Sequence, residues 1–318
     1  MQDKKLRRDN LFYAANLIGL AVLLYLFLAE LLKTALNALC ALSLPGSGLQ
    51  NPAGLPVWLA MLLNCVATTI NLGLPIWALH SWVKPLGLPA LRVAKPTAKL
   101  VSTWLPLFLC FTSLGSAASN LVRLLLGLGG YTPPAALQLP TSSGALLLAF
   151  LSVCVLPAIF EELLFRGLIQ RALSPYGAWF SIVVTSALFA LLHSDLSQLP
   201  AIFALSLFLG YVYAFTKNLS YSILLHFANN LSGFVLLWAK QQMDGVNAFG
   251  LSAILFSVYL GTGFLALFLL LRSGGPVRLP RYPTRKNRMG RTERLLSAPV
   301  FAFTLLLLIV IVVLEYNR

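Results

Sequence analysis

Two adjacent carboxylates interrupt a long apolar stretch of the sequence. Glu161 and Glu162 follow an apolar run that begins at Leu146, and apolar residues resume directly after them. Ionisable side chains are costly inside a membrane helix, so a pair at this position indicates a functional site. Arg166 lies four residues after Glu162, and the two can form an ion pair on one helix face. Glu161 is rotated by about 100° from that face, which leaves its carboxylate for acid–base chemistry.

Two of the three histidines also lie in apolar segments. His193 follows Phe189 by four residues and His226 precedes Asn230 by four, so each pair shares a helix face. Imidazole and amide groups can polarise a water molecule or donate hydrogen bonds to an oxyanion. On its own, His193 is more often an interface histidine than a catalyst, and His226 with Asn230 could simply join two helices by a hydrogen bond. His80 is interpreted as an interfacial residue without a chemical role.

The composition excludes a soluble domain. Of the 318 residues, 58% are hydrophobic and only 10% are charged, whereas soluble domains carry about a quarter charged residues. The net charge of +14 comes from short basic clusters between apolar spans, a pattern typical of topology signals and of attraction to anionic lipid. We therefore expect membrane lipid as a partner and no nucleic acid. The four cysteines include no CxxC pair, so no disulfide framework is predicted.

Long apolar segments predict an all-α fold, a polytopic helical bundle in a membrane. A crossing helix needs about twenty mainly apolar residues. We interpret eight segments as the core and a ninth as a C-terminal addition, and the fifth and sixth look short. The predicted spans are 11–39, 55–80, 99–123, 144–173, 177–193, 199–216, 219–239, 248–271 and 296–314.

The basic residues predict the orientation of these spans. With the N-terminus in the cytoplasm, the opposite side keeps only Lys33, Arg123, Lys240 and Arg318. Positive loops stay inside, so this orientation is favoured, and the compact chain suggests a bacterial plasma membrane. The expected parts are three N-terminal spans in 1–143, a core with the polar motifs in 144–240, an eighth span in 241–271, a basic linker in 272–295 and the last span in 296–318.

A predicted hairpin brings the first two motifs to similar depths. Ser174, Pro175, Tyr176 and Gly177 form a turn between the fourth and fifth spans. Counted from this turn, Glu161 and His193 lie at roughly 21 and 25 Å, so the two can meet. Asn230 would lie only about 15 Å from its own cytoplasmic end. That difference requires helix tilt, or a fourth span that protrudes into the cytoplasm.

Together the three motifs resemble the CPBP family, named for CAAX-protease and bacteriocin-processing enzymes and also called ABI or CAAX prenyl endopeptidase-like proteins. The family pattern is EExxxR, FxxxH and HxxxN on successive membrane helices. Here the matches, in the family order, are Glu161-Glu162-x-x-x-Arg166, Phe189-x-x-x-His193 and His226-x-x-x-Asn230. Each motif alone is weak, but three in order within one polytopic chain are specific.

The resemblance implies an eight-helix bundle around a conical cavity that opens toward the cytoplasm. It also implies an intramembrane endopeptidase that cleaves membrane-associated or lipidated proteins or peptides. The absence of an HExxH motif and the small number of carboxylates that could orient ligand imidazoles favour a mechanism without a cofactor. Glu161 would act as general base, His193 would polarise the water, and His226 with Asn230 would form the oxyanion hole. The residues expected to support this catalytic set are Glu162, Arg166 and Phe189.

Three other interpretations remain open at this stage. Glu161, His193 and His226 could bind zinc as two histidines and one carboxylate with an open fourth position. A non-catalytic immunity or scaffold protein could bind a peptide in the same cavity. A transporter would explain the buried acids and histidines as a proton relay, but the inverted repeats expected of a transporter are not found in this sequence.

Overall fold

The computed structural model of the protein describes residues 2–41, 56–88, 90–132, 138–273 and 289–316. Within these ranges the chain is helical and contains no strand, which confirms the predicted all-α bundle. The helices are α1 (Gln2–Ala41), α2 (Val57–Trp82), α3 (Ala98–Leu128), α4 (Ser143–Tyr176), α5 (Ala178–Leu191), α6 (Leu199–Thr216), α7 (Leu219–Gln241), α8 (Gly245–Arg272), α9 (Met289–Leu296) and α10 (Pro299–Tyr316).

Eight of these helices are long and apolar enough to cross a membrane, and α5 is a shorter apolar helix. The predicted short fifth span is therefore confirmed. Its 14 residues extend about 21 Å, which is less than the roughly 30 Å of a hydrocarbon core. Small polar side chains on α5 are almost completely buried, namely Ser181, Thr185 and Ser186. Neighbouring helices rather than lipid therefore surround much of α5.

The described connections between helices fall on two faces of the bundle. The first, which we call the turn face, carries the Ser174–Tyr176 turn and the beginnings of α3 and α7. The second, the opposite face, carries the ends of α3, α5 and α10. Tyr316 at the end of α10 stacks on Tyr131, just after α3, with ring centroids 5.8 Å apart. This contact places the two ends of α10 on different faces, as a ninth crossing requires.

Helix α10 packs closely along α1. The backbone N–H of Val300 donates to the Oδ1 of Asn16 at 2.9 Å, and the Thr304 hydroxyl donates to the carbonyl of Gly19 at 3.2 Å. A Cβ atom on Gly19 would lie only 2.9 Å from the Phe301 backbone. Close approach over small residues is how helices associate in lipid, where the hydrophobic effect does not drive their association.

A non-helical segment between α2 and α3 fixes the beginning of α7. The Asn218 side chain donates to the Ala94 carbonyl at 2.8 Å and accepts from the Ala94 N–H at 3.0 Å. The N–H of Leu219 donates to the carbonyl of Arg92 at 3.0 Å. The same segment contacts α4, because Leu91 lies against Gly167. The segment therefore sets the position of α7 relative to α4.

The contact between α8 and α3 generates a stability prediction. A Cβ atom on Gly263 would overlap the Cys110 side chain and lie 2.9 Å from the Pro106 carbonyl oxygen, whereas one on Gly261 would meet nothing within 4 Å. Gly263→Ala should therefore destabilise the protein by about 1–3 kcal/mol through overpacking. Gly261→Ala should be neutral or slightly stabilising. Thermal unfolding in detergent measures both, and equal midpoints would contradict the packing described here.

Candidate active site

Helix α4 is irregular on both sides of its two glutamates. A π-helical segment, Leu151–Val155, precedes Glu161 and Glu162, and a second, Leu163–Gln170, follows them. Such segments are uncommon and are frequent at functional sites. Pro157 gives a local cause for the first, because proline lacks the N–H that would bond the carbonyl four residues earlier. The carbonyl without that helical partner belongs to Val153.

Glu162 and Arg166 form the predicted ion pair on α4. The Arg166 Nη1 donates to the Glu162 Oε1 at 2.5 Å, and both side chains are fully buried. The Arg166 Nη2 donates to the carbonyl and the hydroxyl of Ser206 on α6, at 3.0 and 2.7 Å. The guanidinium also lies over the Phe189 ring, 5.1 Å from its centroid. These contacts fix the Glu162 carboxylate between α4, α5 and α6.

The same oxygen of Glu162 binds His226. The His226 Nδ1 lies 2.8 Å from the Glu162 Oε1, and the imidazole is buried. Because the carboxylate is paired with Arg166 and can only accept, Nδ1 carries the proton of this bond. The other ring nitrogen, Nε2, faces the Glu161 Oε2 at 3.8 Å. The Glu161 side chain is 18% exposed and that of Glu162 is 0% exposed, so Glu161 is the carboxylate that solvent can reach.

His193 lies just after the end of α5 and is exposed. Its Nδ1 lies 2.8 Å from the Phe189 carbonyl oxygen, and the two rings are 4.8 Å apart between centroids. The Phe189 ring also contacts His226, at 6.0 Å. Both imidazoles therefore flank one phenylalanine. Among the described residues, no hydrogen bond or ion pair joins His193 to Glu161, so their direct cooperation stays a prediction.

Asn230 lies one helical turn after His226 on α7. Its Nδ2 donates to the Val153 carbonyl at 3.4 Å, which is the carbonyl four residues before Pro157. Its Oδ1 accepts from the side chain of Asn229 at 3.5 Å. These two contacts orient the amide and leave the second N–H of Nδ2 for another acceptor.

The hydrogen bond between His226 and Glu162 relates the depth of α7 to that of α4. His226 lies about 10 Å from the beginning of α7, and Glu162 about 16 Å from Leu173 near the end of α4. Since the two side chains are hydrogen bonded, α4 extends about 6 Å beyond the start of α7 on the turn face. Helix tilt and a fourth span that protrudes into the cytoplasm both stay predictions.

Sequence reasoning missed two polar residues beside Glu161. The Tyr25 hydroxyl on α1 makes a polar contact with the Asn71 amide on α2 and interacts electrostatically with Glu161. The Asn71 Oδ1 is buried and has no hydrogen-bond partner among the described residues. An asparagine within an apolar span was a signal in the sequence. Its neighbours come from helices distant in the chain, so their contact was not predictable from spacing.

The residues present are not gathered as a metal site. Among the described residues, no group of three or more histidine, cysteine, aspartate or glutamate side chains is arranged to hold a metal ion. Of the proposed ligand set, His226 faces Glu161, while His193 bonds to its own helix. The donor set therefore does not fit zinc in this arrangement, and we derive no step through a metal. The zinc interpretation stays a hypothesis that metal analysis of the active protein tests.

The buried pair generates a second stability prediction. Glu162→Gln leaves the Arg166 charge buried without a partner, which should cost about 3–5 kcal/mol. Glu30→Gln is the matched control, because Glu30 pairs with Lys33 at 3.7 Å while both side chains are largely exposed. That change should stay within about 1 kcal/mol. Chemical or thermal unfolding measures the difference, and equal effects would show that burial of the pair is not structurally important.

Comparison of the sequence with known protein families agrees with the three motifs described above. Residues 143–232 match the sequence profile of the type II CAAX prenyl endopeptidase Rce1-like family. No match was found among curated proteins or among solved structures. The matched segment contains all seven residues predicted for the site, from Glu161 to Asn230. The resemblance found in the motifs is thereby confirmed for this segment, and the family implies a protease. Residues 143–232 are thus similar to the type II CAAX prenyl endopeptidases of the Rce1-like family.

Proposed function

We propose that this protein hydrolyses a peptide bond of a membrane-associated protein or peptide, with Glu161 as general base. One observation carries the proposal. A fully buried carboxylate, Glu162, holds an imidazole, His226, whose second nitrogen faces an accessible carboxylate, Glu161. This arrangement of acid, imidazole and acid lies between apolar helices, where ionisable groups are retained for function.

The chemistry follows from the accessible carboxylate. Glu161 accepts a proton from a water molecule while the water oxygen bonds to the peptide carbonyl carbon. The carbonyl oxygen takes up the electron pair and becomes an oxyanion. When the carbon–nitrogen bond breaks, Glu161 returns the proton to the leaving amine. The carboxylate is then restored without a covalent intermediate.

In this proposal, His226 and Asn230 bind the oxyanion. The Asn230 Nδ2 has one N–H on the Val153 carbonyl and a second that can point toward substrate. His226 donates its Nδ1 proton to Glu162, so its Nε2 can donate to an oxyanion only when the ring is protonated. Each donor of this kind contributes about 10²–10³ in kcat.

His193 is suited to hold the attacking water. Its Nδ1 donates to the Phe189 carbonyl, because a carbonyl oxygen can only accept. In the neutral ring, Nε2 is then an acceptor that can bind a water O–H. The exposed position of His193 supports access of water to this nitrogen.

The substrate class and setting complete the proposal. The family acts on CAAX prenyl proteins, and we extend this class, lipidated proteins or peptides, to the present chain. Exposed basic side chains surround the turn face, including Lys84, Arg92 and Lys95. We place this face in the cytoplasm of a bacterium, because positive loops stay inside. Anionic lipid would be the natural neighbour of such a surface.

Glu161→Gln tests the proposal directly. The substitution keeps the shape of the side chain and removes the base, so cleavage should be lost while the unfolding midpoint stays unchanged. A farnesylated peptide with a CAAX terminus, presented in proteoliposomes and analysed by mass spectrometry, measures cleavage. Glu30→Gln serves as the control with full activity. Full activity of Glu161→Gln would reject the mechanism, and a binding protein would retain peptide affinity without ever cleaving.

Pro157→Ala tests the link between helix irregularity and Asn230. Alanine restores an N–H that competes for the Val153 carbonyl, so the Asn230 amide loses its anchor. We expect kcat to fall on the order of tenfold, less than the roughly 100-fold or larger loss for Asn230→Ala.

The two changes should be non-additive, because both act through Asn230. Pro106→Ala is the control, since Pro106 lies inside α3, away from Asn230. An unchanged kcat in Pro157→Ala would contradict the link.

A further inference from the structure

The loop that follows His193 has a strained backbone. Ser194 has a φ of 58° and is one of two non-glycine residues with positive φ in the described chain. The N–H groups of His193 and Ser194 bond to the carbonyls of Ala190 and Leu191, three residues back, at 3.1 and 3.2 Å. A left-handed serine is unfavourable and persists only where its surroundings hold it. The loop must therefore be fixed by contacts of its own.

Asp195 supplies these contacts. Its Oδ1 accepts hydrogen bonds from the Tyr131 hydroxyl at 2.9 Å and from the backbone and side chain of Ser197 at 2.9 and 2.7 Å. Its Oδ2 accepts from the Gln198 amide at 2.6 Å. Ser197 is fully buried. The bonds to Ser197 and Gln198 are local, but the bond to Tyr131 joins this loop to the end of α3.

The Tyr131 ring is held in turn by the last helix. Tyr316 of α10 stacks on it, with an interplanar angle of 7°. A Cβ atom on Gly129 would lie 3.2 Å from the Tyr316 hydroxyl, which shows how closely α10 approaches the end of α3. A chain of contacts therefore runs from Tyr316 through Tyr131 to Asp195, two residues after His193. Tyr131 and Tyr316 lie outside the matched segment 143–232.

We propose that Asp195, held by Tyr131 and Tyr316, is a positioning residue that fixes His193 for the reaction. This inference rests on the proposed function. Asp195 does not touch the reacting atoms, and it acts by locking the turn that carries the imidazole. The contacts also give α10 a role, because this helix supplies the ring on which Tyr131 stacks.

Because its pKa is lowered, the Asp195 carboxylate stays ionised at neutral pH and can keep its hydrogen bonds. Burial alone would raise the pKa of the Asp195 carboxyl, but hydrogen bonds from Ser197, Gln198 and Tyr131 outweigh burial and hold the pKa below its ordinary value. A lowered pKa means that the stabilisation is present above the pKa of the unfolded chain and is lost only as the pH falls through the folded value. The cluster therefore stays formed throughout the neutral range.

Asp244 provides a matched comparison. It lies on the same face of the bundle and caps α8 by accepting from the N–H and the side chain of Asn247, at 2.8 and 2.9 Å. It makes the same kind of local contact as Asp195 but has no bond to the His193 loop. A purely structural cap would give both aspartates the same importance.

The decisive variant is Tyr131→Phe, which keeps the stacked ring and the local Asp195 turn but removes the long-range hydrogen bond. With the farnesylated CAAX peptide as substrate, kcat should fall about tenfold, equivalent to about 1.4 kcal/mol, while KM stays unchanged. Asp195→Ala should lose at least as much. Asp195→Asn, which keeps an acceptor for Tyr131, should recover most of the activity. Asp244→Ala should keep the wild-type kcat.

Reaction with diethyl pyrocarbonate gives a measurement that does not depend on activity. Peptide mass spectrometry follows modification of His193, and exposed His80 is the internal reference. The ratio of His193 to His80 labelling should rise in Tyr131→Phe and Asp195→Ala, because a loosened turn releases Nδ1 from the Phe189 carbonyl. It should not change in Asp244→Ala.

The outcomes separate the two proposals. If Glu161→Gln is inactive while Tyr131→Phe keeps both its kcat and its labelling ratio, the positioning role is wrong and the proposed function stands. If Tyr131→Phe and Asp244→Ala lose activity equally, Asp195 is only a structural cap and the inference is overturned. If Glu161→Gln retains full activity, the proposed function fails, and the inference that rests on it fails as well.

Discussion

The site depends on a single oxygen atom, the Oε1 of Glu162, which binds both Arg166 and His226. Moving a carboxylate out of water is costly, and only close partners with further hydrogen bonds offset that cost. Arg166 provides the charge, and Ser206 accepts two hydrogen bonds from the second terminal nitrogen of the guanidinium, Nη2. The imidazole is then held by a group that cannot move without exposing a buried charge. The His226 imidazole is therefore held rigidly because the Glu162 carboxylate that binds it is desolvated.

The neighbouring Glu161 has the opposite requirement, because it must be accessible rather than buried. A base must reach water, so it cannot be neutralised by the same arginine. Successive residues on a helix point about 100° apart, and this rotation is enough to bury one carboxylate and leave the other 18% exposed. The π-helical segments on either side of the pair alter the ordinary helical hydrogen bonding. The first segment contains the Val153 carbonyl, which accepts a hydrogen bond from the Asn230 side chain.

The sequence predicted the features that follow from local spacing. Nine apolar spans, the short fifth helix, the Ser174–Tyr176 turn and the Glu162–Arg166 pair were all accessible, because periodicity and i,i+4 geometry determine them. The bond between His226 and Glu162 was not predicted, since it depends on how far α4 extends past α7. Tyr25 and Asn71 were missed because their contact joins α1 and α2, and the spacing of residues along the chain does not predict how two helices are aligned. Pro157 was visible in the sequence, but its consequence for Asn230 required the neighbouring helix.

The reason for the many hydrogen bonds of Asp195 lies in the length of α5. A helix of 14 residues is shorter than the hydrocarbon core, so we expect the loop after it to lie deeper than the loops that follow the longer helices. Backbone and side-chain groups at that depth need protein partners, because lipid offers none. Tyr131 is such a partner, and Tyr316 keeps the Tyr131 ring in place. A short helix that carries an imidazole at its end thus creates the need for additional contacts. In this chain, α3 and α10 supply them from outside the matched domain.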